Sequence, residues 1–135
     1  MSEGVALRTV VVEREIPHAP EKVWRALTQG PLLEEWLMKN DFEAVVGHRF
    51  RFTADWGGLD GEVMIAEPPK TLAYTWGAFG VGTVVKWTLT PTSTGTHLRM
   101  EHSGFGPDQD QAYKGATYGW ARNIGKMEQV IAALE

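Results

Sequence analysis

The chain has no cysteine, which excludes disulfides, thiolate nucleophiles and any metal set that needs sulfur. It has no surplus of positive charge: 13 Lys and Arg against 17 Asp and Glu leave a net −4, and no basic run is present to follow a nucleic-acid backbone. No apolar stretch approaches the length of a membrane-spanning helix, so no membrane partner is expected. The N-terminus lacks a charged region followed by an apolar one, and the expected address is cytoplasmic. His18, His48, His97 and His102 fall in no HxxxH or HExxH spacing, so no metal is expected. No glycine-rich phosphate loop precedes a helix, and Ser103 lacks the context of a nucleophile elbow, which leaves no cofactor motif. Asp55, Asp60, Glu62, Glu67 and Glu101 have no spacing that forces two carboxylates together, so no catalytic residue is assigned. Repeats, linkers and low-complexity tracts are also missing.

What is present is enough for one domain spanning residues 1–135, with 43% hydrophobic residues to build a single core. Six tryptophans are spread along it: Trp24, Trp36, Trp56, Trp76, Trp87 and Trp120. Tryptophan fills core volume and wants a partner for its N–H, so several in one small domain imply a bulky core or a wide apolar pocket.

The last quarter organises the rest. Beginning at Asp108, Gln109 and Asp110, the spacing predicts one long helix with Ala112, Ala116, Trp120, Ile124, Met127, Ile131 and Leu134 on a single stripe. Pro107 suits its start, and Asp108 and Asp110 complement the positive end of its dipole. Gly115, Gly119 and Gly125 interrupt it, each costing about 1 kcal/mol relative to alanine. Gly125 falls on the polar side. Gly119 lies at the stripe's edge, one turn from Gly115, and both fit either fraying or close approach of a neighbour, or a helix that bends or shifts to admit a ligand.

Ahead of that helix the chain is mostly strand. Leu7 to Ile16 reads as a strand stopped by Pro17 and Pro20. A short helix then opens at Ala19-Pro20-Glu21-Lys22, and Gly30-Pro31 ends it and starts a second one with Leu32, Leu33, Trp36 and Leu37 on its buried side. Strands follow at Phe42 to Val46, His48 to Thr53, Glu62 to Ala66, Thr71 to Trp76, Thr83 to Thr90 and Thr96 to His102. Asp55 to Gly61 reads as a turn-rich loop and Gly77 to Gly82 as a flexible connection. Short turns between successive strands imply antiparallel pairing. The predicted class is therefore α+β: a curved, seven-stranded antiparallel sheet gripping a long C-terminal helix, with two short helices after strand one.

This order, together with local motifs, resembles the helix-grip fold of the START-like (SRPBCC, Bet v-type) superfamily. Ala19-Pro20-Glu21-Lys22-Val23-Trp24-Arg25-Ala26-Leu27-Thr28 is similar to its AP-x-x-VW-x-ALT helix, and Leu32-Leu33-Glu34-Glu35-Trp36 to its LL-x-x-W helix. Gly47-His48-Arg49-Phe50 resembles GG-x-F, with histidine in place of the second glycine. Pro68-Pro69-Lys70-Thr71-Leu72-Ala73-Tyr74-Thr75-Trp76 is similar to PP-x-x-L-x-Y-T-W. Gly95 to Phe105 resembles GT-x-L-x-x-x-HSGF, and Gly119-Trp120 with Ile124 and Met127 resembles the closing GW-x-x-x-L-x-x-L. The branch these motifs resemble is named after activators of the Hsp-90 ATPase, as homologues of their C-terminal domain. The superfamily implies a cavity between sheet and long helix that binds apolar small molecules. The branch name implies a chaperone-associated partner and a role in stress response.

Candidate ligand-binding residues follow from alternation and from the helical stripe. His48, Phe50 and Phe52 share one parity, as do Tyr74 and Trp76, with Trp87, Met100 and His102 on later strands; Trp36, Trp120, Ile124 and Met127 are the helical contributions. Each is either core filling or pocket wall. His102 is either a histidine satisfied at a strand end, or a polar anchor or acid/base group titrating near neutrality. The expected function is non-enzymatic binding of an apolar or aromatic small molecule, oriented by His48, Tyr74, His102 or a tryptophan N–H. The alternatives are a chaperone-associated interaction protein, which needs an exposed apolar patch, and a polyketide-cyclase-like enzyme that orients a reactive chain.

Overall fold

With one exception, the segments expected to be strands form strands, and the longer-period segments form helices. A computed structural model describes residues 8–55, 57–78 and 81–134. Leu7, Trp56 and the middle of the Gly77–Gly82 connection lie outside the described residues. Strand β1 (Arg8–Ile16) is followed by helices α1 (Pro20–Thr28) and α2 (Gly30–Trp36). Strands β2 (Lys39–Asn40), β3 (Arg49–Ala54), β4 (Gly57–Glu67), β5 (Thr71–Ala78), β6 (Val81–Pro91) and β7 (Thr96–Phe105) come next, and α3 (Asp110–Ala133) ends the chain. All pairings are antiparallel, in the order β1-β7-β6-β5-β4-β3-β2. The first strand thus pairs with the last, and α1 and α2 carry the chain from one edge of the sheet to the other. This is the helix-grip α+β architecture expected from the sequence.

Register aligns the inward side chains into rows. Val10 lies opposite His102, His102 opposite Val85, Val85 opposite Tyr74, and Tyr74 opposite Val63. A parallel row runs Val12, Met100, Trp87, Leu72. On top of these rows α3 buries Trp120, Ile124, Met127 and Ile131 while also packing on α1 and α2. Fully burying such side chains stabilises a fold by about 1.5–3 kcal/mol each, so this half of α3 is firmly held.

Two strand expectations are corrected. The segment Phe42 to Val46 is not a strand: the second strand is Lys39–Asn40, and the chain from Asp41 to His48 is irregular. The side chains of Asn40 and Asp41 make hydrogen bonds to backbone groups here in place of a continued ladder. Asn40 Oδ1 accepts from Phe42 N at 3.1 Å, Asn40 Nδ2 donates to Gly30 O at 3.0 Å, and Asp41 Oδ1 accepts from Arg51 N at 2.7 Å. Phe42 is buried against the rings of Phe50 and Tyr74, whereas Val45 and Val46 are exposed.

The turn-rich loop is also shorter than expected, because β4 already begins at Gly57. Its glycines serve the sheet. A Cβ on Gly61 would stand 2.2 Å from Thr75 O and 2.4 Å from the Phe50 ring, and one on Gly58 would stand 2.5 Å from Phe52 O.

Candidate functional site

Helix α3 meets the sheet unevenly. From Trp120 onward its stripe is buried, but Ala112, Ala116 and Gly119, earlier on the same side, are only half-buried. Small side chains there leave a recess of ≈ 790 Å³ between helix and sheet. Its floor is Trp76, Thr83, His102 and Phe105; its far side is Leu37, Met38 and Leu59; Ala112, Gly115, Ala116, Gly119 and Trp120 roof it. A Cβ on Gly115 or Gly119 would meet nothing within 4 Å, so these glycines border open space and no neighbour crowds them.

A polar chain crosses the floor, and its protons can be placed. Trp120 Nε1 can only donate, and it donates to His102 Nδ1 at 2.8 Å. The Thr83 hydroxyl gives its proton to Trp76 O at 2.9 Å. It must therefore accept from His102 Nε2, 2.6 Å away. His102 is thus the neutral Nε2–H tautomer, with both ring nitrogens engaged. It is 3% exposed, and burial pushes its pKa down to about 4. The phenol of Tyr74 accepts from Trp87 Nε1 at 3.0 Å, and burial raises its pKa. Trp36 Nε1 donates to Ala26 O at 2.8 Å.

The sequence-selected residues divide into two groups. Trp76, His102 and Trp120 line the recess. Trp36, Phe52, Tyr74, Trp87, Met100, Ile124 and Met127 are buried in the closed core, and Phe50 joins them on the β3 side. Rings connect the two regions: Trp36 to Trp87 at 5.9 Å, Trp87 to Trp120 at 5.6 Å, and Trp120 to Trp76 at 5.1 Å between centroids. His48 stands apart, half-buried, with Nε2 2.9 Å from Asp41 O. A second recess of ≈ 560 Å³ lies among Asp41, Arg49, Arg51, Asp60 and Glu62. Arg51 pairs with Asp60 at 3.0 Å and Arg49 with Glu62 at 3.6 Å there, so both arginines are already matched by carboxylates of the same recess. Among the described residues no group of three or more His, Asp and Glu could hold a metal ion. No helix there is long and apolar enough to cross a membrane.

Comparison with known proteins follows the same outline. Residues 17–132 match the family described as activator of Hsp90 ATPase homolog 1-like protein. The chain belongs to this family. With it comes membership of the START-like superfamily that the motifs resemble. The chain is similar to MLL2253 of Mesorhizobium loti, with 59% identity and a TM-score of 0.92 over 95% of this chain and 99% of that one. It is similar to BH1534 of Bacillus halodurans at 25% identity and a TM-score of 0.83, over 95% of this chain and 99% of that one. DynU16, a protein in the dynemicin biosynthetic locus, shares the fold at 24% identity and a TM-score of 0.83, over 93% of this chain and 47% of that one. No curated protein matches the chain.

Sequence reasoning missed Leu37, Met38, Leu59, Thr83, Phe105 and the flank of α3 that carries Arg122, Asn123 and Lys126. Thr83 could have been found, since it shares parity with Val85 and Trp87 and is 4% exposed. Leu37 is marked as buried by the α2 pattern, but that it and the others line one recess depends on the convergence of α2, β4, β7 and α3.

Proposed function

We propose that the chain binds an apolar, ring-bearing small molecule in the recess between the sheet and the first half of α3. The observation that carries this reading is the gap in α3 packing, where Ala112, Gly115, Ala116 and Gly119 stand opposite Trp76 and Phe105. A volume of ≈ 790 Å³ suits a drug-sized ligand. The aromatic floor offers stacking surface, and burying ligand area there contributes roughly 25 cal/mol per Å². A binding role is favoured over acid/base catalysis because His102 has no free nitrogen and is held neutral. A panel of planar apolar compounds tests the reading by thermal shift and tryptophan emission. A ligand at one hundred times its Kd stabilises the fold by about 2.7 kcal/mol, a readily measured rise in Tm. No shift and no emission change across the panel would remove the proposal.

One observation favours a second reading, a chaperone-associated interaction. Val45, Val46 and Met64 are exposed, and Gly47 N donates to Val63 O at 2.9 Å, which sets this turn beside β4. If this apolar edge is the contact, Val46→Asp abolishes any stimulation of an Hsp90-type ATPase while leaving ligand binding intact; absence of stimulation by the unaltered protein ends this reading.

A further inference from the structure

The open edge of the recess carries two positive charges and no negative one. Arg122 and Lys126 line it, and among the described residues no carboxylate does. This runs against the chain's net charge of −4. The other charges of α3 are neutralised: Asp110 pairs with Arg8 at 2.8 Å and Lys114 at 3.1 Å, and Glu128 with Arg14 at 3.6 Å. Arg122 and Lys126 form no ion pair among the described residues. They stand four residues apart, a spacing at which like charges repel along a helix. They also continue, at spacings of three and four residues, the side of α3 on which Gly115 and Gly119 border the recess, and all four line it.

We propose that the molecule held in the recess is an organic anion: a flat apolar body with one acid group. The body lies against Trp76 and Trp120, and the acid group meets Arg122 and Lys126. This rests on the reading that the recess binds a small molecule, and adds the ligand's charge and orientation. The planar guanidinium of Arg122 suits a carboxylate, which accepts two parallel N–H bonds from such a fork. An acid placed at the other end would face the neutral His102, Thr83 and Trp120 chain, whose hydrogen bonds are already made within the protein.

Two probes with the same ring system separate the charge from the cavity: 1-pyrenebutyric acid and 1-pyrenebutanol, titrated at low ionic strength against tryptophan emission. The acid is expected to bind about tenfold more tightly, with the ratio shrinking as salt is added. In an Arg122→Gln, Lys126→Gln double variant the ratio falls to about one while the alcohol's affinity is unchanged. Equal binding of acid and alcohol by the unaltered protein overturns the anion proposal and leaves the cavity reading standing. Binding of neither probe overturns both.

Discussion

Trp120 Nε1 donates to His102 Nδ1 across 2.8 Å, joining the closing helix to the last strand beneath it. The contact takes the one lone pair with which an Nε2–H imidazole could act as a base. His102 Nε2–H in turn donates to the Thr83 oxygen, so protonating the ring at Nδ1 requires breaking the bond to Trp120 or turning the ring. Of the readings the sequence leaves open for His102, the fold favours the satisfied histidine: both ring nitrogens are engaged, and the residue positions Trp120 over the recess.

Stability on the acid side follows from this. The pKa of His102 is depressed in the folded chain, from 6.5 to about 4, because burial disfavours the charged ring. The unfolded chain therefore binds the proton first as pH falls. Its contribution is whole above about pH 6.5 and is lost progressively toward pH 4, about 3 kcal/mol in all. Urea unfolding across that window should show the loss in the native chain and a flatter profile in His102→Asn. Identical slopes would contradict the burial of a neutral His102.

His97 predicts the opposite sign in a different window. It bonds Glu15 and Glu13 on the outer face of β7, and these carboxylates raise its pKa above 6.5. Its stabilisation is present below pH 6.5 and disappears as pH rises through the raised value. In His97→Gln the alkaline decline in Tm should be absent, while the acid decline assigned to His102 persists.

The buried pair of Trp87 and Tyr74 should behave asymmetrically. Tyr74→Phe leaves the Trp87 N–H without its acceptor and is expected to cost about 1–3 kcal/mol. Adding Trp87→Phe removes the orphaned donor, so the double variant should cost less than the sum of the two single ones. Denaturant midpoints of the four proteins check this; strict additivity would mean that the bond contributes nothing.

Two glycines should respond in opposite directions. Gly95 has φ +155°, and a Cβ there would lie 2.1 Å from Ile16 O, so Gly95→Ala forces the β7 start away from β1 and should cost more than about 3 kcal/mol. Gly119 is helical with open space at its Cβ, and Gly119→Ala should raise stability by about 1 kcal/mol. Thermal unfolding of both variants distinguishes a glycine required by crowding from one that keeps space open.

The elements were legible wherever one period persisted for several residues. Leu98, Met100 and His102 announced their face, and Trp120, Ile124, Met127 and Ile131 announced theirs. The strand expected at Phe42 to Val46 failed because Asn40 and Asp41 cap the backbone with side-chain oxygens, which alternation does not register. The start of β4 has the composition of a loop because Gly57, Gly58 and Gly61 mimic a turn, although two of them are there to let Phe52, Thr75 and the Phe50 ring approach. The site was legible in part. Trp76, His102 and Trp120 follow from the pattern, but whether aromatic residues enclose space or fill it depends on which side chains of α2, β4 and α3 meet them, and those are far apart in the chain. The sequence clue was Gly115 and Gly119, which have no other work in the helix.

The most direct test of the recess as a binding site is the affinity of a planar apolar fluorophore for the native chain and for Gly119→Phe. A Cβ at this position meets nothing within 4 Å, and Gly119 lines the recess with Ala116, Trp76 and Trp120, so a ring added there competes with the ligand for the same space. The account predicts saturable quenching of tryptophan emission by the native protein and its loss in Gly119→Phe, with Tm unchanged or raised. Equal binding by the two proteins would place the ligand elsewhere and contradict it.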